Sequence, residues 1–339
     1  MSKTIVTLGE LMMRLKPPGK LRLRQAQAFE VCHGGAEANV AVSLAEFGLA
    51  SRLVTGLPEG ELGAQALRFL RAHDVDTSQV IRRPGRLGLY FMEEGADFRS
   101  GCVVYDRAGS VFSELSPDDI DWNAAFDGAD WFHISGITPA LSDETRQLAT
   151  FAMEEARRRN IHVSLDLNYR ERLWEYGRSA IEVMPALASL ADTLIAGRGD
   201  CTHCLGVDGE GENGSQVWAE SLTEQLFRRF SQLTNASITL RNSKSAENHS
   251  WSAHLRTQAG SYFSRTYEMT AILDRVGTGD AFCAGLIYGL VDARKPSEAL
   301  EFGAAANCLK HSIHGDSNAV SVSEVDALVS TTRFGQLRR

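Results

Sequence analysis

Apolar runs alternate with helical patterns along almost the whole chain. Residues 4–8 (TIVTL) form a continuous apolar run stopped by Gly9, the pattern of a strand buried on both faces. Residues 36–47 (AEANVAVSLAEF) have helical spacing ended by Gly48, and residues 52–55 (RLVT) read as another short strand. A helix is predicted over 143–160. Ser142 can cap it, Asp143 and Glu144 sit near its positive end, and Arg157, Arg158 and Arg159 near its negative end. Strands follow at 161–167 and 192–196, then a helix around 221–233 and a strand at 236–240. Repeated strand–helix–strand units predict an α/β protein, with a central, mostly parallel sheet and helices on both faces.

Two stretches break this rhythm. Residues 21–32 and 87–114 are rich in Gly, Tyr, Val and Phe without a helical period, and predict antiparallel strands outside the main sheet, a small β-sheet lid. The expected organisation is one domain over 1–330, with a lid from about 10–33 and 86–115 and a polar tail at 331–339. Residues 197–216 contain six glycines and read as an exposed loop, at least in part. Exposed lid edges would favour pairing into a homo-oligomer.

Composition narrows the function classes. In 339 residues, 43% hydrophobic content can fill a core, and 35 Lys+Arg against 43 Asp+Glu leave a net charge of −8. Without a block of basic residues, nucleic acid is not an expected partner. The longest apolar run is the 11-residue AFCAGLIYGLV at 281–291, so no membrane span is expected, and Glu10 and Arg14 interrupt the N-terminal apolar stretch too early for a secretory signal. Six scattered cysteines make no disulfide framework, which points to a reduced, cytoplasmic protein.

In an open parallel sheet, ligands bind beyond the carboxyl ends of the strands. Those ends carry Gly9-Glu10, then Asp166-Leu167-Asn168-Tyr169-Arg170, then Gly197, then Arg241-Asn242-Ser243, a largely polar crest. The most informative segment is DRVGTGDAFCAG at 274–285. Gly277, Thr278 and Gly279 precede an apolar helix beginning near Asp280, so backbone amides and a helix N-terminus converge as an anion site. Asp280 would be placed to take a proton from a nucleophilic hydroxyl; the plain alternative is an ordinary Asp at a helix start. In HGGAEANVAVSLAEFG at 33–48, Gly34 and Gly35 allow close approach of a ligand, and Asn39 can both donate to and accept from hydroxyl groups.

GGAEANVAVSLAEFG near the start and DRVGTGDAFCAG some 240 residues later resemble the two signatures of the ribokinase/phosphofructokinase-B type carbohydrate kinases. The likeness spans nearly the whole chain. TLGELMMRLKP, DLNYRERLW, TLRNSKSAENHSWSA and LKHSIHGDSNAVSVSEV are most similar to 2-keto-3-deoxygluconate kinases. The resemblance implies a ribokinase-like fold and transfer of the γ-phosphoryl group of ATP, with Mg²⁺, to the terminal hydroxyl of a keto-deoxy sugar acid. It makes Asp280 the general base and the amides of Gly277, Thr278 and Gly279 the anion hole. It places Gly34, Tyr90, Tyr105, Arg107, Arg170 and Asp316 around the sugar acid, where Gly35 and Asn39 of the 33–48 segment are further candidates. On the nucleotide side it places Asn168, Thr239, Arg241, Ser243, Ser245 and Asn307, the last reaching adenine or else a surface Asn. Arg107 and Arg170 are the candidates to grip the substrate carboxylate.

One departure from the family pattern stands out. Relatives carry Asn-Glu-Glu-Asp or similar after the fourth strand, where this chain has Gly197-Arg198-Gly199-Asp200, so only Asp200 remains to help organise Mg²⁺ through water. Arg275 and Thr278 also depart from the commoner residues. Cys201-Thr202-His203-Cys204 lacks the second pair a zinc site needs, His311 and His314 read as a polar helix face, and Met12-Met13 as strand packing. Other readings remain: a kinase of another sugar or sugar acid such as fructose or keto-deoxygalactonate, a sugar-binding sensor on the kinase scaffold, or a dinucleotide-dependent oxidoreductase. The last wants its glycine turn after the first strand, whereas this one lies at Gly277.

Overall fold

A computed structural model describes residues 3–330. The first half of the chain forms β1 (Thr4–Leu8), β2 (Met12–Lys16), β3 (Glu30–Gly34), α1 (Ala36–Glu46), β4 (Ala50–Pro58), α2 (Glu61–Ala72), β5 (Val80–Arg83), β6 (Leu89–Glu93) and β7 (Cys102–Asp106). Next come α3 (Trp122–Ala125), β8 (Trp131–Ser135), α4 (Asp143–Arg158), β9 (His162–Asp166), α5 (Ala180–Ala188), β10 (Thr193–Gly197), α6 (Asp200–Leu205) and α7 (Gln216–Arg229). The last part is β11 (Asn235–Ser243), β12 (His249–Thr257), β13 (Gly260–Phe263), β14 (Tyr267–Met269), α8 (Thr278–Val291), α9 (Pro296–Lys310) and α10 (Val322–Ser330). The tail at 331–339 lies outside the described residues.

The main sheet runs β13-β12-β11-β10-β9-β8-β1-β4-β5, with β14 beside β12. From β11 to β5 every pairing is parallel; β12, β13 and β14 pair antiparallel. Alternation along β10 shows how helices cover both faces. Leu194 and Ala196 join a core with Leu148, Met184 and Trp218 from α4, α5 and α7. Ile195 faces the other way, toward Leu44, Phe282, Phe302 and Val325 from α1, α8, α9 and α10. The ribokinase-like α/β architecture with a separate small sheet is as the sequence predicts.

That small sheet has the order β3-β2-β6-β7. The expected all-antiparallel lid needs correcting, because β2 and β6 pair in parallel. The region 21–32 also contributes less strand than expected: one 3-10 turn at Leu23–Gln25 and the start of β3. Register sorts the lid side chains into two rows. Cys32, Arg14, Tyr90 and Tyr105 are neighbours across all four strands, and Val31, Leu15, Phe91 and Val104 form the adjacent row. A period of two therefore puts the first row on one face and the apolar row on the other.

Local chemistry explains other boundaries. Ser142 Oγ caps α4 by accepting from Thr145 N, as its sequence predicts. Ser215 Oγ accepts from Trp218 N, which starts α7 at Gln216, five residues ahead of the 221 that apolar spacing alone indicated. The glycine-rich 197–216 stretch is not all loop, since 200–205 form α6 and bury Cys201 and Cys204. His311 is buried with Nδ1 against Asn307 O, so it is not part of a polar helix face. Among the described residues no helix is long and apolar enough to cross a membrane.

Candidate active site

A cleft of about 1060 Å³ lies between the crest of the main sheet and the lid. It gathers nearly every residue singled out from the sequence. Gly35, Asn39, Tyr90, Tyr105, Arg107 and Asp316 line it with Gly277, Thr278, Gly279 and Asp280. So do Asn168, Arg170, Asp200, Thr239, Arg241, Ser243, Ser245 and Asn307. Gly34 stands behind this wall, and a Cβ there would come within 1.9 Å of Asp316 Oδ2, so only glycine lets the carboxylate sit where it does.

The turn before α8 is built around Gly277, whose φ of 74° is left-handed. A Cβ at this position would also meet Asp316 O at 1.9 Å. α8 starts at Thr278, two residues earlier than expected, so Asp280 sits in its first turn among unpaired amides. Asn39 Nδ2 donates to Asp280 Oδ2 at 2.7 Å, joining the starts of α1 and α8. Burial pushes the Asp280 carboxyl up to about 7; the Asn39 bond and Arg170 pull it down, while Glu37 and Asp316 push it up. A carboxylate poised near neutrality suits a general base. Asn307 is buried and not a surface residue: its Nδ2 donates to Thr278 O at 2.8 Å, and its Oδ1 has no partner. With its amide committed beneath the turn, its side-chain hydrogen bond goes to the Thr278 backbone, where sequence reasoning looked toward adenine.

The lid wall holds charges that sequence reasoning missed. Arg14 Nη1 donates to Asp316 Oδ1 at 2.8 Å and Nη2 to Asp274 Oδ2 at 2.7 Å, all three side chains nearly solvent-free. Tyr90 OH donates to Asp316 Oδ2, and Cys32 Sγ on β3 donates to Asp316 Oδ1 at 3.7 Å. Asp274 accepts from Val276 N and Gly315 N, bracing the turn from below. Arg107 does not stand free to meet a carboxylate. Its Nε and Nη2 reach Glu10 Oε2 at 2.7 and 2.5 Å, and Ser110 Oγ donates to Glu10 Oε1 at 2.5 Å. Glu10 thus fixes the guanidinium's orientation and leaves Nη1 outside this ion pair. Its position at a strand end was the one available clue. Deeper still, Glu37 is fully buried and accepts from Ser135 N, Ser135 Oγ and Thr138 Oγ1.

The opposite wall is different. Arg170, Arg198, Arg241 and Arg275 line the cleft, and among the described residues none of them forms an ion pair. Burial lowers the Arg241 pKa, as do the neighbouring Arg275 and Arg170, so these guanidiniums crowd one another. Asp166 and Asp200 lie close enough to interact. Burial first, then Asp200 and Asp280, push the Asp166 carboxyl up to about 8. Asp200 Oδ2 accepts from Gly197 N at 2.6 Å at the start of α6. Among the described residues no group of three or more His, Cys, Asp or Glu is arranged to hold a metal ion.

A βαβ sheet with a lid, a buried carboxylate on a glycine turn, and a basic wall facing it define a carbohydrate kinase of the ribokinase-like class. The sequence profile of the pfkB family carbohydrate kinases matches residues 2–322, and the chain belongs to that family. It is 31% identical to a 2-dehydro-3-deoxygalactonokinase of Haloferax volcanii, over 97% of both chains. It is 28% identical to a 2-dehydro-3-deoxygluconokinase of Thermoproteus tenax, over 94% of this chain and 91% of that one. The crystal structure of the 2-dehydro-3-deoxygluconokinase of Thermotoga maritima superposes with a TM-score of 0.92 at 42% identity, covering 97% of this chain and all of the other.

Proposed function

We propose that the protein transfers the γ-phosphoryl group of ATP to the terminal hydroxyl of 2-keto-3-deoxygluconate, giving 2-keto-3-deoxy-6-phosphogluconate and ADP. The observation that carries this reading is Asp280: a buried carboxylate with its pKa raised to about 7, on a left-handed glycine turn, between a lid wall and a basic wall. The names of the relatives supply the substrate class.

In this reading Asp280 Oδ orients the acceptor hydroxyl and takes its proton as the O–P bond forms. The amides of Gly277, Thr278 and Gly279 meet the charge on the transferring phosphoryl oxygens. Phosphoryl transfer asks little covalent chemistry of the protein, so positioning and electrostatics carry most of the rate. The sugar acid lies on the lid side against Gly35, Asn39, Tyr90, Tyr105 and Asp316, its carboxylate near Arg107 and Arg170. The triphosphate lies along Arg241, Ser243 and the turn, with Asn168, Thr239, Ser245 and Asn307 on the same side. Lid contact over the cleft keeps water from the reacting phosphate.

Magnesium fits this site as an ion carried mainly by phosphate oxygens and water, because the described residues offer the Asp166–Asp200 pair and no cage. When bound, Mg²⁺ neutralises phosphate charge. In this reading the protein works in the cytoplasm, in keeping with six cysteines that form no disulfide among the described residues. Two copies would pair through the lid edges β3 and β7, which sedimentation velocity reads as a dimer.

The test is a coupled kinase screen over 2-keto-3-deoxygluconate, its galactonate epimer and neutral sugars, with and without Mg²⁺. Sugar-acid-dependent ADP release is the expected result. Binding without turnover would assign a sensor, and equal rates on fructose would overturn the acid preference. The Haloferax relative gives the galactonate epimer a specific claim as the alternative acceptor.

A further inference from the structure

Lys310 ends α9, is fully buried, and has no part in the reaction described above. Its ammonium forms no ion pair. Instead Nζ donates to Ile313 O at 3.0 Å and Gly315 O at 2.8 Å, gathering the backbone just beyond the helix. Burial pushes its pKa down, while Asp274 and Asp316 favour its charged form. With Arg14 it supplies two cations near the buried carboxylates of Asp274 and Asp316. An unbalanced charge at such a depth would be strongly unfavourable.

The carbonyls held by Lys310 belong to the segment that backs the anion turn. Asp316 O sits where a Cβ on residue 277 would fall, and Asp274 ties Val276 N and Gly315 N to one carboxylate. Asn307, one helical turn before Lys310, holds Thr278 O from the same helix. The end of α9 is therefore in continuous contact with the backbone that presents the Gly277–Gly279 amides.

We propose that Lys310 is a positioning residue for phosphoryl transfer: its ammonium is a tethered internal cation that gathers the 313–315 carbonyls and so holds the anion turn in its working shape. The catalytic part of this inference rests on the kinase reading. Removing the ammonium leaves a carbonyl-lined space beside two carboxylates, which a small monovalent cation can fill.

The experiment compares the full-length protein with Lys310→Ala and Lys310→Met in potassium, ammonium or tetramethylammonium chloride at equal ionic strength. Lys310→Ala in tetramethylammonium should lose about tenfold or more in kcat, with KM values nearly unchanged. Potassium or ammonium should restore several-fold of that loss. The methionine variant, whose side chain refills the space, should lose turnover and recover none. Turnover of Lys310→Ala within twofold of the parent overturns the proposal, as does a loss that neither cation reverses. Thermal unfolding gives a readout free of activity: potassium should raise the midpoint of Lys310→Ala and not that of the parent. That shift tests the cation site even if the parent phosphorylates none of the sugar acids, so the two readings fail separately. If Lys310→Ala does not fold in any salt, Lys310→Gln decides. Its amide can donate to the same carbonyls without charge; near-parental turnover overturns the proposal, and a tenfold loss supports it.

Discussion

At the lid end of the cleft, Arg14, Lys16 and Arg107 are all ion-paired and nearly solvent-free, whereas Arg170, Arg198, Arg241 and Arg275 at the far end form no ion pair among the described residues. The lid end uses its electrostatics within the fold, holding Asp316, Tyr90 and Arg107 in one arrangement before any ligand arrives. Such a wall selects by shape and loses little on binding. At the far end Arg241 is crowded by Arg275 and Arg170, with Asp200 acting against them. A protein of net charge −8 attracts anions by concentrating positive charge locally.

The sharpest break in this comparison comes at Asp280, where the two ends meet. Asp280→Asn should lower kcat by about a thousandfold, read as sugar-acid-dependent ADP release. Near-normal turnover would remove Asp280 as the base. The pH behaviour has a definite sign. The folded-state pKa is raised from 3.8 to about 7, so between those values the folded protein holds a proton that the unfolded chain has lost. Through this group, stability falls as pH rises across that window, while kcat/KM rises as the base ionises near 7. Asp280→Asn should flatten both dependences, in urea unfolding and in the pH–rate profile.

Arg14→Met probes the paired end. It leaves Asp274 and Asp316 without their shared cation, so unfolding free energy should drop by about 3–5 kcal/mol in urea titrations. A loss under about 1 kcal/mol would mean that the lid network is not what stabilises this wall. Arg275→Gln and Arg241→Gln probe the open end and should show the reverse profile. Each should raise the KM for ATP about tenfold and weaken its salt dependence, while stability moves by no more than about 0.5 kcal/mol. Stability losses as large as that of Arg14→Met would erase the distinction between the two ends. The smallest effect on catalysis belongs to Arg107→Ala, because Glu10 already neutralises this guanidinium, although stranding the buried Glu10 should also lower stability. The kcat/KM ratio of sugar acid to neutral sugar should fall several-fold; equal losses on both would remove its carboxylate role.

Much of this site was legible in the chain. Gly277 and Asp280 announce an anion turn because a left-handed residue, a helix start and an acid must follow one another directly. Strand ends pointed to Glu10, Asp166 and Arg170 because parallel sheets bind ligands at one edge. Arg14, Asp274 and Lys310 were not legible as a group. Each sits in an ordinary local context, and only burial turns them into a charge cluster. The same holds for Arg107, a candidate to grip a carboxylate whose pairing with Glu10 no local pattern shows.

The sequence by itself determined the alternation of strands and helices, the two stretches that form the lid, and the glycine turn that carries Asp280. Periodicity, capping and glycine conformation act over a few residues, so they can be read where they occur. Tertiary structure alone decided which charges are paired and which are free. Asn39 reaches Asp280 across 241 residues and Arg14 reaches Asp316 across 302, and no local pattern encodes such separations. The pKa of a carboxylate, and hence its chemistry, follows from the burial and neighbours that those distant contacts impose.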